Sequence, residues 1–392
     1  VLTTQIDLTD ARFVEGVPHE TLALLRCEAP LWWWPEAGCW VVTAHRLVEA
    51  MNRDFETYSS EGGIIPPGLN INPSVLLAMD PPVHTEYRRM VIKSFVPRAI
   101  ASIEQDVRAI ADAAVADFVA AGGGDFITDI ASAIPYRVMA DLTGVPREAE
   151  SKVMGWGNAI APNTDPEYRP TPDAAIIAND ALNEFLGEEL EKRRRNPGTD
   201  LMSNLLAARH QDGSPLSEAD MRGFALNYLL GGTETTRNLI GNAMHELLVH
   251  PDQLRRFVDG EVDAATMTEE LLRWITPVMQ HSRWPTRDAE VEGQLIRKGD
   301  RVTLWMVSAN RDPEAFDRPD EFDIGRNPNH HVALGGGGPH YCLGAHLARL
   351  ETIATFEALR PHLTRLAFAA PAERVASNFI NGMKHLRLSV TS

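Results

Sequence analysis

Disulfide chemistry has almost nothing to work with in this sequence. Its three cysteines, Cys27, Cys39 and Cys342, are odd in number and far apart, which excludes a disulfide framework and suits a reducing compartment. Positive charge is scarce too: 37 Lys+Arg stand against 54 Asp+Glu, for a formal net charge of −17. Nucleic acid and anionic membranes both reward a basic surface, so neither is an expected partner. No stretch reaches the roughly 18–20 uninterrupted apolar residues that a membrane span needs. Residues 1–16 lack the basic-then-apolar order of a signal peptide, and a cytoplasmic protein is expected. Internal repeats, disordered linkers and composition breaks are absent as well. The 392 residues therefore read as one compact, mostly helical domain, 1–392.

Aromatic Leu31-Trp32-Trp33-Trp34 and Cys39-Trp40-Val41-Val42 flank a turn-like Pro-Glu-Ala-Gly, which predicts a hairpin with the tryptophans used in sheet packing. Apolar residues recur at helical steps over 99–121, ending at three glycines. A Pro-rich loop over 161–172 leads into a helix over 173–195. The longest helix runs from an N-cap at Ser217 to about His250, where Pro251 stops it. Its middle holds Gly231-Gly232, each costing about 1 kcal/mol relative to Ala, so something there must favour glycine. Further helices are predicted over 264–275 and 343–363, with a strand-like run over 301–307.

Chemistry concentrates in Gly335-Gly336-Gly337-Gly338-Pro339-His340-Tyr341-Cys342-Leu343-Gly344. Glycines let a backbone approach a flat cofactor closely. A cysteine just before a helix gains from the helix N-terminus, which favours the thiolate. Blander alternatives stand beside this: a lone buried cysteine is usually a small hydrophobe. A phosphate loop is disfavoured because no Gly-Lys-Ser/Thr ending follows. Zinc from His330, His331, His340 and Cys342 matches no standard spacing.

The segment resembles the haem-binding loop of cytochromes P-450, whose Gly-x-(His/Arg)-x-Cys-x-Gly core is met by Gly338, His340, Cys342 and Gly344. That family is the familiar case of thiolate-ligated haem. One departure is plain: where the family has Phe seven residues before the cysteine, this chain has Gly335, after Leu334, in a glycine run one residue longer. Other segments share the resemblance in the same order along the chain. Glu270 and Arg273, at i and i+3 on one helix face, with Arg326, match the family's structural brace. Gly231-Gly232-Thr233-Glu234-Thr235-Thr236 matches its oxygen-binding motif. There the glycines would let the helix bulge and open a pocket, while Thr235 and Glu234 would pass protons inward; the plain alternative is an exposed acid with hydroxyls bonded back to helical carbonyls. His84 and Arg88, at i and i+4, share a face suited to a propionate, and Arg283 and His340 match two more such contacts.

The resemblance implies the cytochrome P-450 fold: a mainly α, triangular-prism domain with a smaller β part. The β-rich part is expected mainly within 1–80, 276–310 and 364–392, and the helical part mainly within 81–275 and 343–363. It implies haem b (iron protoporphyrin IX) on Cys342, with His84, Arg88, Arg283, His340, Gly231, Gly336 and Gly344 around it. Glu234 and Thr235 are the expected catalytic residues, and dioxygen the co-substrate. No flavin or nicotinamide domain is recognised, so electrons would come from NAD(P)H through ferredoxin reductase and ferredoxin. Arg88, Arg89, Lys93, Arg98, Arg349 and Arg360 form the expected basic docking patch. Substrate would lie against Ile64, Ile65, Leu69, Asn227, Leu230, Val278, Met279, Gln280, Phe379 and Ile380, a largely apolar set that favours a terpenoid, steroid or fatty acid-like molecule. Gln280, Asn227 and Asn378 are the residues expected to orient a polar group. The expected enzyme is a monomeric monooxygenase. A haem–thiolate peroxygenase, or a haem-binding sensor or carrier, is the alternative; the first lacks the acid–threonine pair and the second needs none.

Overall fold

The hairpin predicted over 31–42 starts the main sheet. Leu31–Trp34 and Cys39–Val42 pair antiparallel, with Trp33 opposite Trp40, and the turn between them ends on Gly38 at φ 58°. That left-handed backbone is where glycine is needed. In the computed structural model, which describes residues 6–65 and 76–391, Cys39–Val42 runs parallel to Arg301–Leu304. Antiparallel partners His281–Pro285 and Tyr58–Ser59 complete five strands. Trp34 and Trp40 are buried and Trp33 meets Trp40 edge-on, so the tryptophans serve sheet packing as expected.

Helices dominate the rest. The Ser217 hydroxyl accepts the Asp220 N–H at 3.1 Å and starts Glu218–Leu226. The chain then widens into one π turn, Asn227–Gly231, before Gly232–Val249 resumes α geometry and Pro251 opens the next helix. Such π turns are rare and mark functional sites often. Leu239, Ile240, Met244 and Leu247 of this helix share the largest core cluster with Ile127, Ile130 and Ile134, and with Phe356 and Leu359 of Ala345–Leu359. The Ala174–Arg195 and Ala264–Ile275 helices agree with the sequence. Among the described residues, no helix is long and apolar enough to cross a membrane.

Several boundaries differ. The helix expected over 99–121 is two, Pro97–Ser102 and Glu104–Ala120, because the Ile103 N–H closes a tight turn onto the Ile100 carbonyl. Gly123–Asp125 is a strand, paired with Arg387–Val390 inside the part expected to be helical. A Cβ on Gly123 would lie 2.2 Å from the Leu388 carbonyl oxygen, so the glycine serves that close pairing. The run over 301–307 stops as a strand at Leu304 and turns helical at Met306–Ala309. The last helix starts at Ala345, not Leu343, and ends at Leu359.

Candidate active site

Gly335, Gly336, Gly337 and Gly338 all have positive φ (99°, 59°, 96° and 77°), so the loop before Cys342 is a path that side chains with a Cβ rarely follow. It closes where the Cys342 N–H donates to the Leu334 carbonyl at 3.0 Å. A Cβ on Gly338 would sit 2.3 Å from the Asn52 carbonyl oxygen, whereas one on Gly344 meets nothing within 4 Å. Gly338→Ala should therefore cost stability and empty the loop of function, while Gly344→Ala leaves the apoprotein's melting temperature within about a degree or two of wild type. Thermal melting of both variants checks this. Burial pushes the Cys342 thiol up; the Gly344 N–H, Arg88 and Arg349 pull the other way. An anionic sulfur here needs a positive partner, and a coordinated metal ion supplies one by deprotonating the thiol outright.

Beneath the loop lies a buried charge cluster. Arg273 donates to both Glu270 oxygens (2.7 and 2.8 Å) and to the carbonyls of Asn310 and Pro319. Arg326 Nε lies 3.2 Å from Glu270 Oε2, so the expected trio is assembled. The link to the loop is Asn310, whose side-chain oxygen accepts the Val332 N–H at 2.8 Å. Nothing in the sequence spacing singles out Asn310 or its neighbour in the cluster, Glu269. Arg349 grips Glu269 through two bonds (2.6 and 2.9 Å), and His331 lies 3.2 Å away. Burial alone would raise the Glu269 carboxyl, yet these bonds hold it down to about 2. Arg349 is thus occupied, and Arg360 lies against Phe257 and the Val258 carbonyl. The exposed cations of the expected docking patch are Arg89, Lys93 and Arg98.

Where this loop meets the helix Val83–Val91, the rings of His84 and His340 sit 4.3 Å apart. Both His84 nitrogens and His340 Nε2 are buried without a hydrogen-bond partner among the described residues. Arg283 is buried beside them, bonded to the Ser282 carbonyl and to Asn52 Oδ1, and Arg88 Nη2 donates to the Tyr341 carbonyl at 2.7 Å. Burial, helped by Arg88, holds His84 down to about 4. Burial, with Arg283 and His84, holds His340 down to about 2, and burial lowers Arg283 to about 10. Among the described residues, no carboxylate forms a salt bridge with any of the four. Buried polar groups in native proteins have partners, so this cluster is built for an anion.

On the long helix, the paired glycines have separate reasons. A Cβ on Gly231 meets open space, whereas one on Gly232 would lie 2.8 Å from Met139 Sδ. Thr235 Oγ1 donates to the Gly231 carbonyl at 3.0 Å, so this hydroxyl does bond back to the helix. Glu234, however, is not the exposed acid of the plain alternative. It is buried, with Oε2 3.3 Å from Arg237 and Oε1 unpartnered among the described residues. Burial raises its carboxyl against the pull of Arg237. Arg237 in turn bonds Asn158 and the Tyr168 hydroxyl.

Ile65, Val278, Phe379 and Ile380 come together with Val375, Ala161 and Tyr168 in one apolar cluster. Ile64 contributes its carbonyl to the Ser282 N–H, and Leu230 packs on the main core. Two expectations need correcting. Met279 points away, into the N-terminal core with Leu22, Leu25 and Trp305, because neighbours along an extended chain face opposite ways. Asn378 is spent on the N-terminal segment, donating to the Leu8 carbonyl at 2.8 Å. Gln280 Oε1 and Asn227 Nδ2 remain buried and unpartnered among the described residues. Leu69 lies outside the described residues.

Comparison with known proteins decides what this arrangement belongs to. Residues 159–267 and 264–359 match the family model described as Cytochrome P450. A steroid C26-monooxygenase of Mycobacterium tuberculosis is 35% identical over 405 residues, covering 98% of this chain and 92% of that protein. The chain belongs to the cytochrome P450 family. A linalool 8-monooxygenase of Pseudomonas putida is 33% identical, with 96% of each chain covered. Among solved structures, a Mycobacterium marinum cytochrome P450 in complex with pseudoionone superposes with a TM-score of 0.91 at 32% identity, covering 98% of both chains. The fold is accordingly the mainly helical P450 fold with small sheets, and the chain is a P450 monooxygenase, a class that implies a haem–thiolate centre. The residues fit that group: the cysteine stands at the end of a glycine path, and the unpartnered cradle suits the carboxylates of iron protoporphyrin.

Proposed function

We propose that Cys342 holds the iron of haem b, that His84, Arg88, Arg283 and His340 bind its propionates, and that the protein oxidises a lipophilic small molecule. The observation that carries this is the cluster of His84, Arg88, Arg283 and His340 beside Cys342. Among the described residues, both His84 nitrogens and His340 Nε2 are buried without a hydrogen-bond partner, and no member of the cluster forms a salt bridge. When bound, the haem supplies reductive activation of dioxygen and insertion of one oxygen atom into a C–H or C=C bond, the other leaving as water. This chain's part is to anchor the group by the sulfur, neutralise its carboxylates, exclude water and deliver protons. Gly231 opens space at the π turn; Thr235 and Glu234 stand beside it, the acid raised by burial and thus suited to donate. Glu270, Arg273 and Arg326 brace the loop from behind.

Substrate class follows from the cluster around Val278, Phe379 and Ile380, whose lining is apolar. Its relatives are named for steroid, linalool and methyl-branched lipid oxidation, and a Bacillus megaterium P450 resembling this chain was solved with testosterone. A steroid, terpenoid or branched lipid is the reading they support. Electrons come from NAD(P)H through a ferredoxin reductase and an acidic ferredoxin, which docks on Arg89, Lys93 and Arg98. Reconstitution with such a pair tests the proposal. Product should form from a panel of these lipids. Ferredoxin affinity should fall with salt, as the Debye length shrinks from about 10 Å at 0.1 M to about 3 Å at 1 M, and should fall again in Arg89→Glu. Haem retention without turnover of any panel member, whichever ferredoxin is supplied, would point instead to a carrier or sensor.

A further inference from the structure

One side chain touches both banks of the haem cradle and belongs to neither motif. Asn52 lies in the last turn of the helix His45–Arg53 and is 3% exposed. Its backbone carbonyl is the atom that forbids a Cβ on Gly338, at 2.3 Å, and its Nδ2 lies 3.4 Å from where a Cβ on Gly336 would stand. Its other side reaches the strand His281–Pro285. There Oδ1 receives Arg283 Nη2 at 3.2 Å and lies 2.8 Å from His281 Nε2. A guanidinium only donates, so the amide oxygen must face Arg283 and the nitrogen must face away. That nitrogen is buried and has no hydrogen-bond partner among the described residues.

We infer that Asn52 is a haem-positioning residue, its amide oxygen setting the Arg283 guanidinium and its amide nitrogen donating to the propionate edge that Arg283 neutralises. The inference rests on the proposed haem site and adds a residue to it. The chemistry favours a carboxamide over its isosteres. A carboxylate at 52 would also hold Arg283, but it would neutralise the charge that the ligand needs and repel an anion. An aliphatic side chain would fill the space and release the guanidinium. Only a neutral group with an acceptor at one end and donors at the other fixes Arg283 while leaving its charge available. His281 takes part as a donor: burial and Arg283 hold its ring neutral, with Nε2–H toward Asn52.

Haem transfer from the ferric holoprotein to excess apomyoglobin measures the effect without turnover. Asn52→Asp keeps the acceptor and the shape, loses the donors and adds an anion. Haem loss should quicken by about tenfold or more, the scale of lost second-sphere contacts, and the haem reduction potential should become more negative. Asn52→Leu removes both bonds without adding charge, and should quicken haem loss by several-fold with a smaller change in potential. A merely structural Asn52, wedged against the glycine loop, predicts that Asn52→Asp behaves like wild type. Unchanged haem loss in either variant, with apoprotein melting intact, overturns the inference. If one variant fails to fold, the other carries the test alone. Both should keep the red-shifted Soret band of the reduced carbon monoxide complex, because Cys342 is untouched. Absence of that band in the unsubstituted protein would overturn the reading of the haem site itself.

Discussion

Arg273→Ala should yield a protein that melts far below wild type and retains little haem. Glu270 and Arg273 are both fully buried, and the arginine alone bridges Glu270, Asn310 and Pro319. Removing it takes the bidentate partner from a buried carboxylate and leaves only Arg326, Asn329 and the Asp323 N–H to hold it. The loss should therefore approach about 3–5 kcal/mol, that of a broken buried pair. Native domains are stable by only about 5–15 kcal/mol, so one substitution takes a large share. The damage should spread to Cys342 through Asn310, whose backbone carbonyl binds Arg273 and whose side chain anchors Val332 at the start of the loop. Glu270→Gln, isosteric and neutral, leaves Arg273 charged and half-partnered, and should melt between the two. Differential scanning calorimetry with haem-to-protein ratios reads both effects. A wild-type ratio in Arg273→Ala would show that the cluster does not support the loop.

Thr235→Ala should leave haem content and substrate affinity nearly intact while product per reductant falls by about tenfold or more. Positioned proton transfer contributes typically 10²–10⁴-fold, and an apolar pocket holds few other donors. The missing product should appear as hydrogen peroxide or water. Glu234→Gln should slow turnover and enlarge the solvent isotope effect. Because Glu234 is buried against Arg237, which Asn158 and the Tyr168 hydroxyl hold in place, water must reach the acid past that network to restore its proton. Unchanged coupling in a well-folded Thr235→Ala would assign proton delivery to other groups.

What the sequence made legible is what short-range chemistry writes. Ser217 signals a helix start because a cap acts over three residues, and Gly231-Gly232 stand out because helices penalise glycine. The glycine run before Cys342 is conspicuous because four consecutive left-handed positions leave few other choices. Contacts made across the chain left no such trace. Asn52 meets Arg283 from 231 residues away, and Glu269 meets Arg349 from 80. Neither pair has a spacing that announces it. Met279 turns from Val278 toward a different core because an extended chain alternates sides, which three adjacent letters do not announce. The short strand Gly123–Asp125 carries no period at all and is defined only by its distant partner Arg387–Val390.

The central claim is that Cys342 presents a thiolate to haem iron, and the reduced carbon monoxide spectrum tests it most directly. Wild-type protein, Cys27→Ala and Cys39→Ala should all show the red-shifted Soret band peculiar to thiolate-ligated haem. Cys342→His should bind carbon monoxide without it, showing the unshifted band of an imidazole-ligated haem. Persistence of the red-shifted band in Cys342→His, or its loss in Cys39→Ala, would contradict the assignment.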